Sequence, residues 1–453
     1  MMRATSAAPA TIHRALGSTE GLYGLLDRLY CLNFVVFGEL QGTLDAGRLQ
    51  AALATVQDIH PLLRARIVNV GGRSRFEPVQ RRLAPLRAEV RGHRGWRREI
   101  ERQLQTPFDP GQAPLARFLW FNDGGSRSVV AMTFHHPIGD GRSGGAVLLD
   151  VLRRATVDRS PPAYRPARAS SQSLDVVAHK PRLIGALQGM RFWLERGRDA
   201  LQFARQLPGY DPTPNPDRDV RIIALGLAPA QLASLQRQCR EHGTTVHGAL
   251  GAAQLLAVND QFGSQAPRRL ALNSLADLRG VLSGALSDAD LGLYISTLCT
   301  VHALPRRPDF WALAREIRDS LKRQLDSGDA NLIHGVYPPN PVADPGEGVA
   351  RLVHAVVALA PPSTMLTNIG RIQEVDLGPR LALRTLAFAV SPPAQHPVCV
   401  TANSYGGRMF VNLLHDQNKL GSEPAKAIGE RLMHHLTAAS RPAAAPPRTP
   451  PST

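Results

Sequence analysis

Phe134 to Gly145 reads F-H-H-P-I-G-D-G-R-S-G-G, and it holds the residues best suited to chemistry in this chain. An imidazole with an ordinary pKa of about 6.5 can accept a proton and return it at neutral pH. His136 is therefore a candidate general base for a hydroxyl or amine that attacks an activated carbonyl. Asp140 lies across the turn, where it could orient the imidazole or pin the loop through an arginine. The stretch contains no cysteine, and nothing marks Ser143 as a nucleophile. The two His and one Asp do not follow the His-x-x-x-His helix spacing of a zinc site. Gly141 leaves the backbone open to a substrate, because no Cβ stands in the way.

A strand and a helix must hold such a loop. Ser128–Phe134 is β-branched and apolar, as a buried strand is, and Ala146–Leu152 reads as a packed helix. His135 and His136 sit where the strand ends, a common place for chemistry on a rigid scaffold.

His135-His136-Pro137-Ile138-Gly139-Asp140-Gly141 fits the H-H-x-x-x-D-G signature and resembles the condensation-domain and acyltransferase superfamily. That group includes nonribosomal-peptide condensation domains, plant BAHD acyltransferases, wax ester synthases and polyketide-associated acyltransferases, and its fold resembles chloramphenicol acetyltransferase. Asp277-Leu278-Arg279 is similar to the D-L-R element of the superfamily, and Thr367-Asn368-Ile369-Gly370 to the S/T-N-x-G element of polyketide-associated acyltransferases and wax ester synthases. The plant D-F-G-W-G element is not evident.

The resemblance implies catalytic roles for His136, Asp140 and His135, a substrate-binding role for Gly141, Asn368 and Gly370, and a structural Asp140–Arg279 ion pair. Asn368 would offer an amide donor to the substrate or an oxyanion. No metal and no bound cofactor are expected. The donor would be an acyl thioester on coenzyme A or on the phosphopantetheine of an acyl carrier protein. The expected product is an ester, from a small-molecule alcohol. An amide, made by a free-standing condensation enzyme from an amine, is the alternative.

The chain of 453 residues is long enough for two core-forming lobes. The expected fold is α/β, an α+β sandwich, with two chloramphenicol acetyltransferase-like lobes and a channel between them. The expected organisation is a flexible start at 1–13, a first lobe at 14–157, a proline-bracketed crossover at 158–218, a second lobe at 219–438 and a Pro/Ala-rich tail at 439–453. Formal net charge is +16, with only four lysines, so arginine dominates the excess. The charge suits anionic partners such as coenzyme A or an acidic carrier protein. It is spread along the chain without aromatic interleaving, which argues against nucleic acid.

No apolar run approaches the ~18 residues of a membrane span. No secretory leader is evident, and the four cysteines form no Cys-x-x-Cys, so a cytoplasmic monomer is expected. Other histidines read as structural: His60 before Pro61, His247 beside small residues, and His434–His435 on an amphipathic helix.

Overall fold

The computed structural model describes residues 12–79, 87–156, 217–262, 269–280, 286–328 and 363–441, with Met190, Leu194, Leu207 and residues 209–212. The expected crossover at 158–218 and the tail at 439–453 lie largely outside the described residues.

The first half forms β1 (Arg14–Ala15), α1 (Ser18–Tyr30), β2 (Asn33–Gly42), α2 (Ala46–Ile59), β3 (Ala65–Val70), β4 (Arg73–Pro78), β5 (Ala88–Arg91), α3 (Trp96–Leu104), β6 (Ala116–Phe121), β7 (Arg127–His135) and α4 (Gly141–Thr156). Local chemistry sets many of these limits. Glu20 accepts a hydrogen bond from the Gly17 N–H at 2.7 Å and closes the first turn of α1. Asp45 caps α2 by accepting from the Arg48 N–H at 2.7 Å, and α2 ends before Pro61. β3 and β4 meet at Gly71-Gly72, whose φ values of 59° and 75° suit a tight hairpin.

The second half forms β8 (Val220–Leu227), α5 (Pro229–Glu241), α6 (Val246–Phe262), β9 (Arg269–Asp277), β10 (Ile295–Ala303), α7 (Phe310–Asp326), β11 (Ser363–Arg371), β12 (Leu381–Leu383), β13 (Ala387–Val390), β14 (Cys399–Tyr405), β15 (Arg408–Asp416) and α8 (Ser422–Ala439). β10 begins only at Ile295. Residues just before it form a loop, and the Tyr294 N–H is drawn to Asp140 at 3.0 Å instead of entering the ladder.

Two large sheets result, an α/β architecture. One runs β12-β2-β7-β6-β5, with β13 also paired to β2; the other runs β10-β9-β11-β14-β15-β8. β7 is buried along almost its whole length, between antiparallel β2 and β6, which explains its unbroken apolar run. Each half has its own core, around Phe34, Phe118, Phe134 and Leu148 in the first and around Leu250, Leu256, Leu272 and Ile428 in the second.

The segment 219–438, expected as one lobe, is divided between the sheets. β12 and β13 leave it and pair antiparallel with β2 of the first half. The second sheet holds this loan in place through polar side chains. Thr401 Oγ1 and Asn412 Nδ2 donate to the Phe388 carbonyl at 2.7 and 2.9 Å, and Asn403 Nδ2 donates to the Leu386 carbonyl at 2.8 Å. The seam between the halves is thus bound by backbone ladder on one side and buried amides on the other.

Candidate active site

β7 delivers the two histidines to the end of the sheet, and a short 3₁₀ turn at His136–Ile138 leads into α4. Successive residues at a strand end point to opposite faces, so the pair diverges. His136 faces a cavity of about 160 Å³ between the halves. Its walls come from Asp140, Gly141 and Arg142 on one side and from Arg279, Asn368, Gly370 and Phe388 on the other.

His135 does not share that cavity, contrary to the catalytic role expected of it. It borders a separate pocket of about 200 Å³ with Asp27, Phe108 and Ser74. Its Nε2 lies 3.2 Å from Asp27 Oδ2, without hydrogen-bond alignment. The period of the strand, already visible in the sequence, is the physical reason.

The imidazole of His136 is 4% exposed. Its Nδ1 lies 2.9 Å from the Gly139 carbonyl oxygen. A carbonyl can only accept, so Nδ1 carries the hydrogen and Nε2 keeps the lone pair. Nε2 has no hydrogen-bond partner among the described residues. Burial pushes the pKa of His136 down to about 4, against smaller upward pulls from its own backbone, the Gly139 carbonyl and Asp140. The ring is therefore neutral at pH 7 and in the form that accepts a proton.

Asp140 is buried, and none of its carboxylate's hydrogen bonds reaches the base. Arg279 Nη2 donates to Oδ1 and Oδ2 at 3.1 and 2.9 Å, the Ser143 N–H donates to Oδ1 at 2.9 Å, and the Tyr294 N–H donates to Oδ2 at 3.0 Å. Of the two possibilities for Asp140, the structure contains the pinned loop. Its role is to position the turn rather than to touch the imidazole.

Arg279 Nη1 continues to Asp277 at 3.0 Å, and Asp277 meets Arg142 Nε at 3.4 Å. Asp140 and Arg142 belong to the loop, whereas Asp277 and Arg279 belong to the end of β9. Alternating charges thus form a chain of four across the seam, Asp140–Arg279–Asp277–Arg142. Arg142 extends it, donating from Nη1 to Asp288 at 3.0 Å and from Nη2 to the Ile369 carbonyl at 3.0 Å.

Gly141 needs its missing side chain, since a Cβ there would stand 3.0 Å from the Phe388 ring. In β11, Asn368 Oδ1 accepts from the Gly370 N–H at 3.0 Å, which ties the bend and leaves Nδ2 without an acceptor among the described residues. Gly370 has φ 76°, which favours glycine.

The structure therefore brings together His136, Asp140, Gly141, Arg279, Asn368 and Gly370. It adds three residues that carried no expected role. Arg142 is one, although its place beside Gly141 in the signature stretch was a signal. Tyr23 is another: its ring meets His136 edge-on at 4.6 Å. Phe388 arrives on β13, and no local pattern announces it.

Three of the other described histidines have structural partners. His247 Nε2 meets Ser274 Oγ at 2.9 Å, and His415 Nδ1 donates to the Leu420 carbonyl at 2.8 Å. His435 stands 3.3 Å from Asp260. Among the described residues, no group of three or more His, Cys, Asp or Glu is arranged to hold a metal ion. No helix among them is long and apolar enough to cross a membrane.

The family described as phthiocerol/phthiodiolone dimycocerosyl transferase C-terminus matches residues 216–414. A probable non-canonical nonribosomal peptide synthetase, CymA, from Salinispora arenicola is 27% identical over 329 residues, or 68% of this chain. The chain spans about 4% of the length of the curated relatives it matches.

Among solved structures, the trichothecene 15-O-acetyltransferase TRI3 from Fusarium sporotrichioides superposes with a TM-score of 0.72 at 12% identity, covering 96% of this chain and 97% of that one. Polyketide synthase associated protein 5 from Mycobacterium tuberculosis superposes with a TM-score of 0.67 at 15% identity, covering 94% and 98%. At these identities the likeness is one of fold, the chloramphenicol acetyltransferase-like fold of condensation domains. The family match in its second half and this shared fold together support the condensation-domain and acyltransferase superfamily.

Proposed function

We propose that this chain transfers an acyl group from a thioester to a hydroxyl, forming an ester, with His136 as the general base. The observation that carries the reading is the tautomer of His136. Nδ1–H is held by the Gly139 carbonyl, and the lone pair of Nε2 is left for a proton in a cavity lined by both halves.

The acceptor O–H gives its proton to Nε2 as its oxygen attacks the thioester carbonyl carbon. The C=O becomes a tetrahedral oxyanion. The oxyanion collapses, the C–S bond breaks, and the imidazolium returns its proton to the leaving thiolate. The Gly139 carbonyl, facing Nδ1–H, stabilises the imidazolium between these steps. Asn368 Nδ2 is a donor suited to the oxyanion, since its Oδ1 is already occupied by the Gly370 N–H. Gly141 gives the acceptor access to the backbone.

The donor is an acyl group on coenzyme A or on a carrier protein, both anionic and both attracted by a chain of net charge +16. Amide formation with an amine acceptor is the second reading. It is favoured by the curated relatives, which are peptide synthetases.

The test is mass spectrometry of products from a panel of acyl thioesters, offered with alcohol and amine acceptors, beside a His136→Ala control. An ester that forms only with the parent protein supports the reading. An amide alone establishes the second reading, and no acyl product with any pair overturns both.

A further inference from the structure

Helix α1 grips the histidine pair from outside the cavity. Tyr23 and Asp27 are four residues apart and so share one face of the helix. Tyr23 lies against His136, with ring centroids 4.6 Å apart and planes at 68°, whereas Asp27 lies against His135. The Tyr23 hydroxyl also lies near the side chain of Thr297, on β10 of the second half. One side chain therefore adjoins the base, its own helix and the opposite sheet. Tyr23 is not among the residues that line the cavity.

We propose that Tyr23 is a positioning residue for His136: its ring packs edge-on against the imidazole and holds it, and the placement of α1 against the seam keeps that contact closed. The proposal rests on the reading of His136 as general base. Phe34 flanks the same imidazole at 5.0 Å, so between them two aromatic rings limit how it can tilt. The Nδ1–H bond to Gly139 fixes one ring atom only. Torsion about Cβ–Cγ is the freedom that remains, and the two rings narrow it from the sides.

The ring of Tyr23 also keeps water from the base. Burial holds the pKa of His136 near 4 and pushes the Tyr23 hydroxyl up to about 12, so the phenol stays neutral beside Thr297. The charged and titratable groups around His136 are Asp140 in the turn, Arg142 in the first turn of α4, Asp277 at the end of β9, Arg279 just after it, Tyr23 from α1, and His135 before it in the chain. Replacing Tyr23 alters none of the charges in this set.

The test uses the full chain with ¹³Cε1-labelled histidine, His136 being assigned from the signal lost in His136→Gln. Tyr23→Leu removes the ring, and Tyr23→Phe keeps the ring but not the hydroxyl. In Tyr23→Leu the titration midpoint of His136 is expected to rise from about 4 toward the ordinary ~6.5 as water reaches the imidazole. Turnover is expected to fall about 10- to 100-fold with little change in KM, and the acid limb of the pH–rate profile to move with the titration. Tyr23→Phe is expected to keep the midpoint of the parent.

A parent-like midpoint in folded Tyr23→Leu overturns the proposal. The NMR arm needs no substrate. If the parent transfers no acyl group, the proposed function fails, while the titration still decides whether Tyr23 holds the base.

Discussion

Asp140 directs its carboxylate to Arg279, at 2.9 Å, and none of its hydrogen bonds reaches His136. The signature aspartate is thus a fastener between the two halves. Both partners are buried, and the loop that bears the base is held by a bond whose other end sits 139 residues away.

Arg279→Ala leaves the Asp140 carboxylate buried without its counter-charge. The expected cost is about 3–5 kcal/mol of folding stability, with loss of activity as the loop detaches. Chemical denaturation checks the first and a product assay the second. A variant as stable and as active as the parent would rule out the fastening role.

The two histidines are expected to fail differently. His136→Gln should lower turnover by about 10²- to 10⁴-fold, the usual worth of a general base, while the protein stays folded. His135→Ala removes the neighbour of buried Asp27 and should lower stability by about 1–3 kcal/mol, with turnover of the folded protein within about tenfold. Paired denaturation and single-turnover measurements separate the two. Equal kinetic damage from both would contradict the divergence of the pair.

Acid should weaken the fold before the carboxylates titrate. Burial lowers the pKa of His60, His136 and His247 to about 4 each, and that of His415 in the same direction. In the unfolded chain these groups titrate near 6.5. Between pH 6.5 and 4 the unfolded state therefore binds protons that the folded state does not. Stability rises with pH across that window and falls as pH drops through it. Each buried histidine contributes a slope of about 1.4 kcal/mol per pH unit. Urea midpoints measured from pH 7 to 4.5 test this, and a flat profile would count against neutral buried histidines.

Two glycines mark places where packing leaves no room. A Cβ on Gly144 would stand 2.6 Å from the Phe34 ring, so Gly144→Ala forces Phe34 and its stacked partner Phe134 apart. The expected cost is about 1–3 kcal/mol. Gly370→Ala meets no such clash, since only Arg142 Nη2 lies near, at 3.7 Å. Its φ of 76° still costs about 1–2 kcal/mol and should shift Asn368. Thermal unfolding separates the clash from the backbone effect, because Gly145→Ala, with nothing within 4 Å, serves as the control.

Much of the site is legible in the sequence alone. β7, its turn and α4 follow from local features: a buried apolar run, proline and glycine at the bend, and helical spacing afterwards. Such features act over a few residues, and short-range physics is written directly in the order of residue types. The Asp277-Leu278-Arg279 and Thr367–Gly370 elements could be located in the same way. Even the divergence of His135 and His136 follows from a strand period of two.

Tertiary structure alone decided the partners. Whether Asp140 would turn to the imidazole or to an arginine depended on where β9 ended relative to the loop. β12 and β13 are too short to carry a periodic pattern, and their place beside β2 depends on which sheet edge the fold leaves open. Tyr23 reads in the sequence as one more aromatic on a helix, and only docking of α1 sets it against the base. Contacts between residues a hundred or more positions apart depend on how whole faces pack, and no local spacing encodes them.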